Sequence, residues 1–232
     1  MQKLAEIRIK NAMIPAEFED ARFDNFRRET ETQTKMYDAM LTYLKAFKET
    51  WRTSTNSFGF VAVHGESFIK ALPAEERLEY REDHSNYGIG KTHLQMAAAK
   101  YLMNNFTVID EYNKLERACR VLCIQDVTFM EDLNNAKMED KEQYVKMLKT
   151  ATEWADVLIW DDLGKSKHTQ SREQTYYRII NDRYNSKKPI IFSSNEDADT
   201  IEEKIGYAAA DRLFGMAKNH FYALEGESQR TI

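Results

Sequence analysis

Three short apolar runs constrain this chain more than anything else in it: FGFVAV (58–63), VLIWDD (157–162) and PIIFSS (189–194). Each is too short for a helix and rich in Val, Ile and aromatic residues, the pattern of strands buried on both faces. RVLCIQ (120–125) and NHFYAL (219–224) are weaker runs of the same kind. Helical periodicities lie between them. In THLQMAAAKYLMNN (92–105), Leu94, Ala97, Ala98, Tyr101 and Leu102 share a face; in SREQTYYRIINDRYN (171–185), Tyr177, Ile180 and Tyr184 mark the expected inward side. Strands alternating with helices predict an α/β fold whose parallel sheet is covered on both faces.

A length of 232 residues suits one sizeable domain, or one domain plus a short appendage. Residues 58–232 read as that domain and residues 1–57 as an N-terminal extension. A helical arm near 30–50 carries Met36, Met40, Leu44 and Phe47 at spacings that suit docking on the main domain. The charged stretch 131–156 reads as surface helix. The net charge of −5 gives no bulk reason for nucleic-acid binding, so any DNA contact needs a local basic patch, for which Lys165 and Lys167 are candidates. No uncharged run approaches the roughly 18 residues of a membrane span. The charged N-terminus does not read as a signal peptide. Cys119 and Cys123, the only cysteines, lack the partners of a zinc site and are expected on or near a buried strand in a reducing cytoplasm.

The chemistry lies in four places. GIGKT (88–92) opens a helix and offers what a nucleoside triphosphate needs. Gly88 and Gly90 let backbone amides approach phosphates, Lys91 can reach the β/γ oxygens, and the Thr92 hydroxyl can bind magnesium. Such a loop normally follows a strand and begins with another glycine. Counting back from Gly90 lands on Ser85 instead. Either Ser85 replaces that glycine, or Gly65 at the end of FGFVAVHG is the first loop glycine and Glu66–Ser85 is an insertion. The second alternative restores the strand–loop–helix order; its PAEERLEYRED reads as a short charged helix starting at Pro73. Gly65 with Asn86, Tyr87, Gly88, Ile89, Gly90, Lys91, Thr92 and His93 then form the expected nucleotide-holding segment. Next, Asp161 and Asp162 end an apolar strand at the edge where parallel sheets bind ligands. Asp161 would hold Mg²⁺ beside Thr92, and Asp162 would orient or deprotonate the attacking water. Asn195, at the tip of PIIFSSN, could hold that water or the γ-phosphate. Arg212, in YAAADRLFG, could reach a neighbouring subunit's γ-phosphate.

Taken in order, IPAEFEDARFDNF, GIGKTHL, VLIWDDLG, IIFSSN, AAADRLF and LEGESQR resemble the DnaC/DnaI-type helicase loaders and their IstB-like relatives, which are AAA+ ATPases. The resemblance runs from Ile14 to Arg230. It implies an αβα ATPase core with a parallel sheet, an N-terminal helical arm and no separate C-terminal lid. It also implies slow ATP hydrolysis with Mg²⁺, open rings or spirals on single-stranded DNA, and loading of the replicative helicase. By this resemblance Lys91 and Thr92 match the Walker A pair, Asp161 and Asp162 the Walker B pair, and Asn195 sensor 1. Arg212 matches the trans-acting arginine finger of a homo-oligomer, and Arg230 the sensor 2 arginine of the same subunit. An insertion inside the phosphate loop, the second of the two alternatives above, would depart from the family pattern. Two other readings share these motifs: an IstB-like transposition helper, and a nucleotide-gated assembly switch with little hydrolysis. A small-molecule kinase would leave Asn195 and Arg212 without a role.

Overall fold

The computed structural model describes residues 7, 10–84, 87–110 and 114–226. Seven strands are numbered β1 (Phe58–Ala62), β2 (Thr107–Ile109), β3 (Glu116–Ala118), β4 (Val121–Gln125), β5 (Val157–Asp161), β6 (Ile190–Ser193) and β7 (Phe221–Leu224). The main sheet is five-stranded in the order β4-β5-β6-β1-β7, with every neighbouring pair parallel. The α/β expectation is met. The five apolar runs all become sheet strands. The antiparallel pair β2–β3, which sequence reasoning missed, forms a separate two-stranded ribbon.

Side chains alternate across the sheet and feed two apolar layers. Phe58, Phe60, Val121, Cys123, Val157, Ile159 and Ile191 enter one layer. Val61, Leu122, Ile124, Leu158, Trp160, Ile190 and Phe192 enter the other. The first layer is closed by α1 (Glu31–Lys45), α2 (Phe47–Thr50) and α5 (Lys91–Asn105). Met36, Met40, Leu44 and Phe47 of the arm are buried there, and a Thr30–Gln33 capping box starts α1. The second layer is closed by α6 (Asp126–Glu139), α7 (Lys141–Lys149), α8 (Gln170–Asn185), α9 (Ala198–Ile205) and α10 (Tyr207–Ala217). Two short helices, α3 (Glu66–Ala71) and α4 (Ala74–Asp83), stand between β1 and the GIGKT segment. Both cysteines are free and buried, and burial pushes both thiols well above their ordinary range. Among the described residues no helix is long and apolar enough to cross a membrane.

Two helix faces differ from the sequence expectation. Helix α5 is buried on nearly every side, including Gln95, Ala99, Lys100 and Met103, because the sheet, α1 and the N-terminal segment all pack on it. Lys100 is accommodated because its ammonium donates to the carbonyls of Phe18 (2.7 Å), Glu19 (2.5 Å) and Ala21 (3.0 Å). On α8 the inward stripe is Tyr176, Ile179, Ile180 and Arg183, while Tyr177 and Tyr184 are 40% and 44% exposed. A polarity pattern assigns Arg183 to solvent. Instead it is fully buried and donates to the carbonyls of Ala151 (2.6 Å), Ala155 (3.2 Å), Asp156 (2.9 Å) and Pro189 (2.8 Å). It thereby ties the π-helical turn Thr150–Trp154 to the start of β6. Removing one partner from such a network strands buried acceptors, so Arg183→Met is expected to cost roughly 3–5 kcal/mol. A lowered urea midpoint at unchanged slope checks this; a change below about 1 kcal/mol would show that water replaces the guanidinium.

Candidate functional site

Parallel register brings the carboxyl ends of the strands level: Gln125 lies opposite Asp161, Trp160 opposite Phe192, and Phe60 opposite Ser193. The N-terminus of α5 abuts this edge. Its first residue follows Gly90, which is left-handed at φ 100° and caps the helix. A Cβ on Gly90 would lie 2.5 Å from Cε2 of Phe26, so both the backbone angle and the Phe26 ring require glycine there. Gly88 is also left-handed, at φ 67°.

Five of the expected site residues meet in one polar network. Lys91 Nζ donates to Asn195 Oδ1 (2.7 Å), and Asn195 Nδ2 donates to Asp162 Oδ1 (2.7 Å). Thr92 Oγ1 donates to Asp161 at 3.0 Å and 3.2 Å to the two carboxylate oxygens. The elements explain the meeting. Lys91 and Thr92 open α5, Asp161 ends β5, and Asn195 follows the end of β6 by two residues. Asp162 has φ 54°, an unusual backbone for a residue with a side chain, and Lys165 Nζ closes its turn on Asp162 Oδ2 at 2.6 Å.

Sequence reasoning missed the supports of Asp161. Ser193 Oγ donates to Asp161 Oδ1 (2.8 Å). Gln95, its amide oriented to suit its neighbours, donates to the same oxygen (2.9 Å) and accepts from Ser193 N–H (3.0 Å). Ser193 at a strand tip is a legible signal after the fact. Gln95 lies one turn beyond Lys91 on the buried side of α5, where a polar residue needs a partner.

Electrostatically the site is a buried cation beside two carboxylates. Burial pulls the Lys91 ammonium down to about 8, against the pull of Asp162 and Asp161 in the opposite direction. Burial, and then the charge of Asp162, push Asp161 above the usual carboxylate range. Thr92 Oγ and the Asp161 carboxylate form a hard-oxygen pair that fits Mg²⁺, whose charge would relieve the repulsion between the two aspartates.

The other expected residues lie as follows. Ile89 is buried under the loop. The His93 ring packs on Phe26, and its Nε2 is 2.9 Å from the Arg22 carbonyl. The Tyr87 hydroxyl is buried beside Glu66 of α3. Gly65 precedes α3, and its N–H donates to Asp197 Oδ2 (2.9 Å). Glu66 N–H donates to the Asn195 carbonyl (2.9 Å) and Ser67 N–H to Glu196 Oε2 (2.9 Å), so the entry to α3 is anchored on the segment carrying Asn195. Arg212 is not brought to the network. Its guanidinium donates to the Ala208 carbonyl (2.6 Å) and lies 5.1 Å from the Tyr177 ring and 5.8 Å from the Tyr184 ring. Asn86 and Arg230 lie outside the described residues.

The profile of the family described as the bacterial DnaA ATPase domain matches residues 69–207, more than half of the chain. The chain belongs to this family. Its AAA+ ATPase fold is shared with a solved DnaC helicase loader, at a TM-score of 0.64 over 91% of this chain and 100% of that one, with 18% identity. The replication initiator DnaA bound to AMPPCP and single-stranded DNA superposes at 0.56, covering 90% of this chain and 51% of that one, with 16% identity. Among curated sequences, the phage-like element PBSX protein XkdC of Bacillus subtilis (strain 168) is 32% identical over 149 residues, 60% of this chain. That match spans about half of XkdC, 48% of its length.

The Lys91 shift carries a sign. The unfolded lysine holds its proton up to about 10.5, whereas the folded one releases it near 8. Between these values the unfolded chain binds more protons, so stability of the nucleotide-free protein rises with pH across the window. Lys91→Met is expected to be more stable than the wild type at pH 7, the difference shrinking towards pH 10. Thermal melts of both proteins at several pH values check this; parallel curves would mean that Lys91 does not carry the effect.

Proposed function

We propose that this edge binds ATP with Mg²⁺ and hydrolyses it slowly, and that the protein works in DNA replication as a helicase loader. Its partners are then the replicative DNA helicase and single-stranded DNA, in the cytoplasm. The observation that carries the ATPase reading is the unbroken chain Lys91–Asn195–Asp162, which links phosphate-binding lysine, strand-tip amide and second aspartate by hydrogen bonds of 2.7 Å. Lys91, which opens α5, would turn from Asn195 to the β/γ oxygens. Asn195 and Asp162 would position the attacking water, with Asp162 as the proton acceptor. Thr92 and Asp161 would hold Mg²⁺, which supplies charge neutralisation at the phosphates. Gly65 and Asn86–His93 form the nucleotide-holding segment in this reading, with Arg230 as an arginine of the same subunit. The loader assignment is supported by the fold shared with the DnaC helicase loader and with DnaA. An IstB-like transposition helper would use the same network.

Arg212 would act on a neighbouring copy. Its guanidinium rests on the two half-exposed tyrosines of α8 and makes no contact with its own network, as a residue serving another subunit's phosphate would. The nucleotide-gated switch is favoured by one observation. Both oxygens of Asp162 already have partners, Asn195 and Lys165, so a water would have to displace one of them.

Lys91→Ala is expected to abolish ATP binding. Arg212→Ala is expected to keep it and to lower DNA-stimulated turnover by about 10³-fold, the scale of an arginine finger. Equal loss of binding in both variants would count against the trans role; tight binding with no turnover in the wild type would select the switch. ATP binding at pH 8.5 is also expected to take up most of one proton as the phosphates recharge Lys91, with little uptake near pH 7. Calorimetry in buffers of different ionisation enthalpy measures it, and no difference between the two pH values would contradict it.

A further inference from the structure

A second cluster of chemistry-bearing side chains lies away from the phosphate network. His64 follows β1, His84 follows α4, and Glu225 follows β7. Each offers one ligand atom, and these atoms lie within 4.8 Å of one another. His84 Nδ1 is 3.0 Å from Glu225 Oε2. The imidazoles of His64 and His84 meet edge to face with centroids 4.7 Å apart. Two imidazoles and a carboxylate are a ligand set that suits zinc, which takes three protein ligands and a water in a tetrahedron. Imidazole selects such borderline transition metals over Mg²⁺.

We propose that His64, His84 and Glu225 form a zinc-class metal site that clamps the segment carrying α3 and α4 onto the sheet edge. Three further observations support it. Zinc–ligand distances of about 2.0–2.2 Å place ligand atoms a little over 3 Å apart, so the three groups need to close by only about an ångström or two. The surroundings are built: the Tyr80 hydroxyl lies 3.1 Å from His64 Nδ1 and can fix which ring nitrogen carries the proton, and Tyr80 packs on His84 at 4.4 Å. The His84 and Glu225 side chains are 34% and 47% exposed, so the site is open to an ion from solvent. The position gives the ion its effect. His64 and His84 bracket the two short helices, so one ion closes that loop at its base. Glu225 then fastens the base to β7, whose carbonyl end is also tied to α1 by Thr32 Oγ1 at 2.8 Å from the Glu225 carbonyl. This site is independent of what the phosphate network binds.

The test uses the full chain, stripped with a chelator and titrated with Zn²⁺ against a chromophoric competitor, with Mg²⁺ as control. One equivalent is expected to bind, to raise the melting temperature and to slow tryptic cleavage between residues 65 and 84. Affinity is expected to fall at least about tenfold in Glu225→Gln and to vanish in His64→Gln/His84→Gln. Cobalt substitution is expected to give the visible absorption of four-coordinate Co²⁺. Circular dichroism of the variants confirms that they remain folded. Zinc binding that is unchanged in the double variant overturns the proposal, because another group then holds the ion. Absence of binding in the wild type also overturns it and leaves the His84–Glu225 contact as an ordinary hydrogen bond.

Discussion

The site is organised around one buried carboxylate. Asp161 is 4% exposed, at the end of a strand whose other residues are apolar, and its burial is tolerable only because donors converge on it. Thr92 and Gln95 come from successive turns of α5, and Ser193 from the tip of β6. Each bond fixes a different relation: helix to strand through Thr92 and Gln95, strand to strand through Ser193. The position of Lys91, one residue before Thr92, follows from the first. The reach of Asn195 to Asp162, two residues beyond Ser193, follows from the second. Loss of any one donor would leave a charged group short of partners and loosen all three elements together.

The N-terminal segment forms one wall of this site. Its Phe26 ring presses on Gly90, the Arg22 carbonyl faces His93, and three of its carbonyls surround the Lys100 ammonium. All of these contacts land on α5 or on the glycine that caps it. The family match begins at residue 69, so this wall is made of residues outside the matched stretch. The turn that carries the left-handed Gly88 and Gly90 is thus packed against an aromatic ring from far upstream.

Much of this was legible in the sequence, and what was not has physical reasons. Strands buried on both faces announce themselves as unbroken apolar runs, so Phe58–Ala62, Val157–Asp161 and Ile190–Ser193 could be placed nearly to the residue. The glycine and lysine of GIGKT, the paired aspartates and Asn195 were readable because each sits where a strand ends or a helix begins. Polarity gives no sign of burial that hydrogen bonds offset: the charges of Arg183 and Lys100 are surrounded by carbonyls. The inward stripe of α8 was accordingly displaced by one residue, from Tyr177 and Tyr184 to Tyr176 and Arg183. Gln95 was invisible because its partners lie 66 and 98 residues away in sequence, as its contacts to Asp161 and Ser193 show. The β2–β3 ribbon has three-residue strands with exposed ends, too short for a periodicity to register.

The strand order has a consequence for biosynthesis. Among the described strands the first made, β1, lies between β6 and β7, the last two. A ribosome would release Phe58–Ala62 long before either neighbour exists, leaving an apolar strand with two open edges while well over a hundred residues are still to come. Pairing this remote in sequence forms late and exposes sticky edges meanwhile. The arm helix α1 precedes β1 in the chain and buries Met36, Met40 and Tyr43 in the same layer as Phe58 and Phe60. With Phe47 of α2, which also precedes β1, it can cover one face of that strand during synthesis.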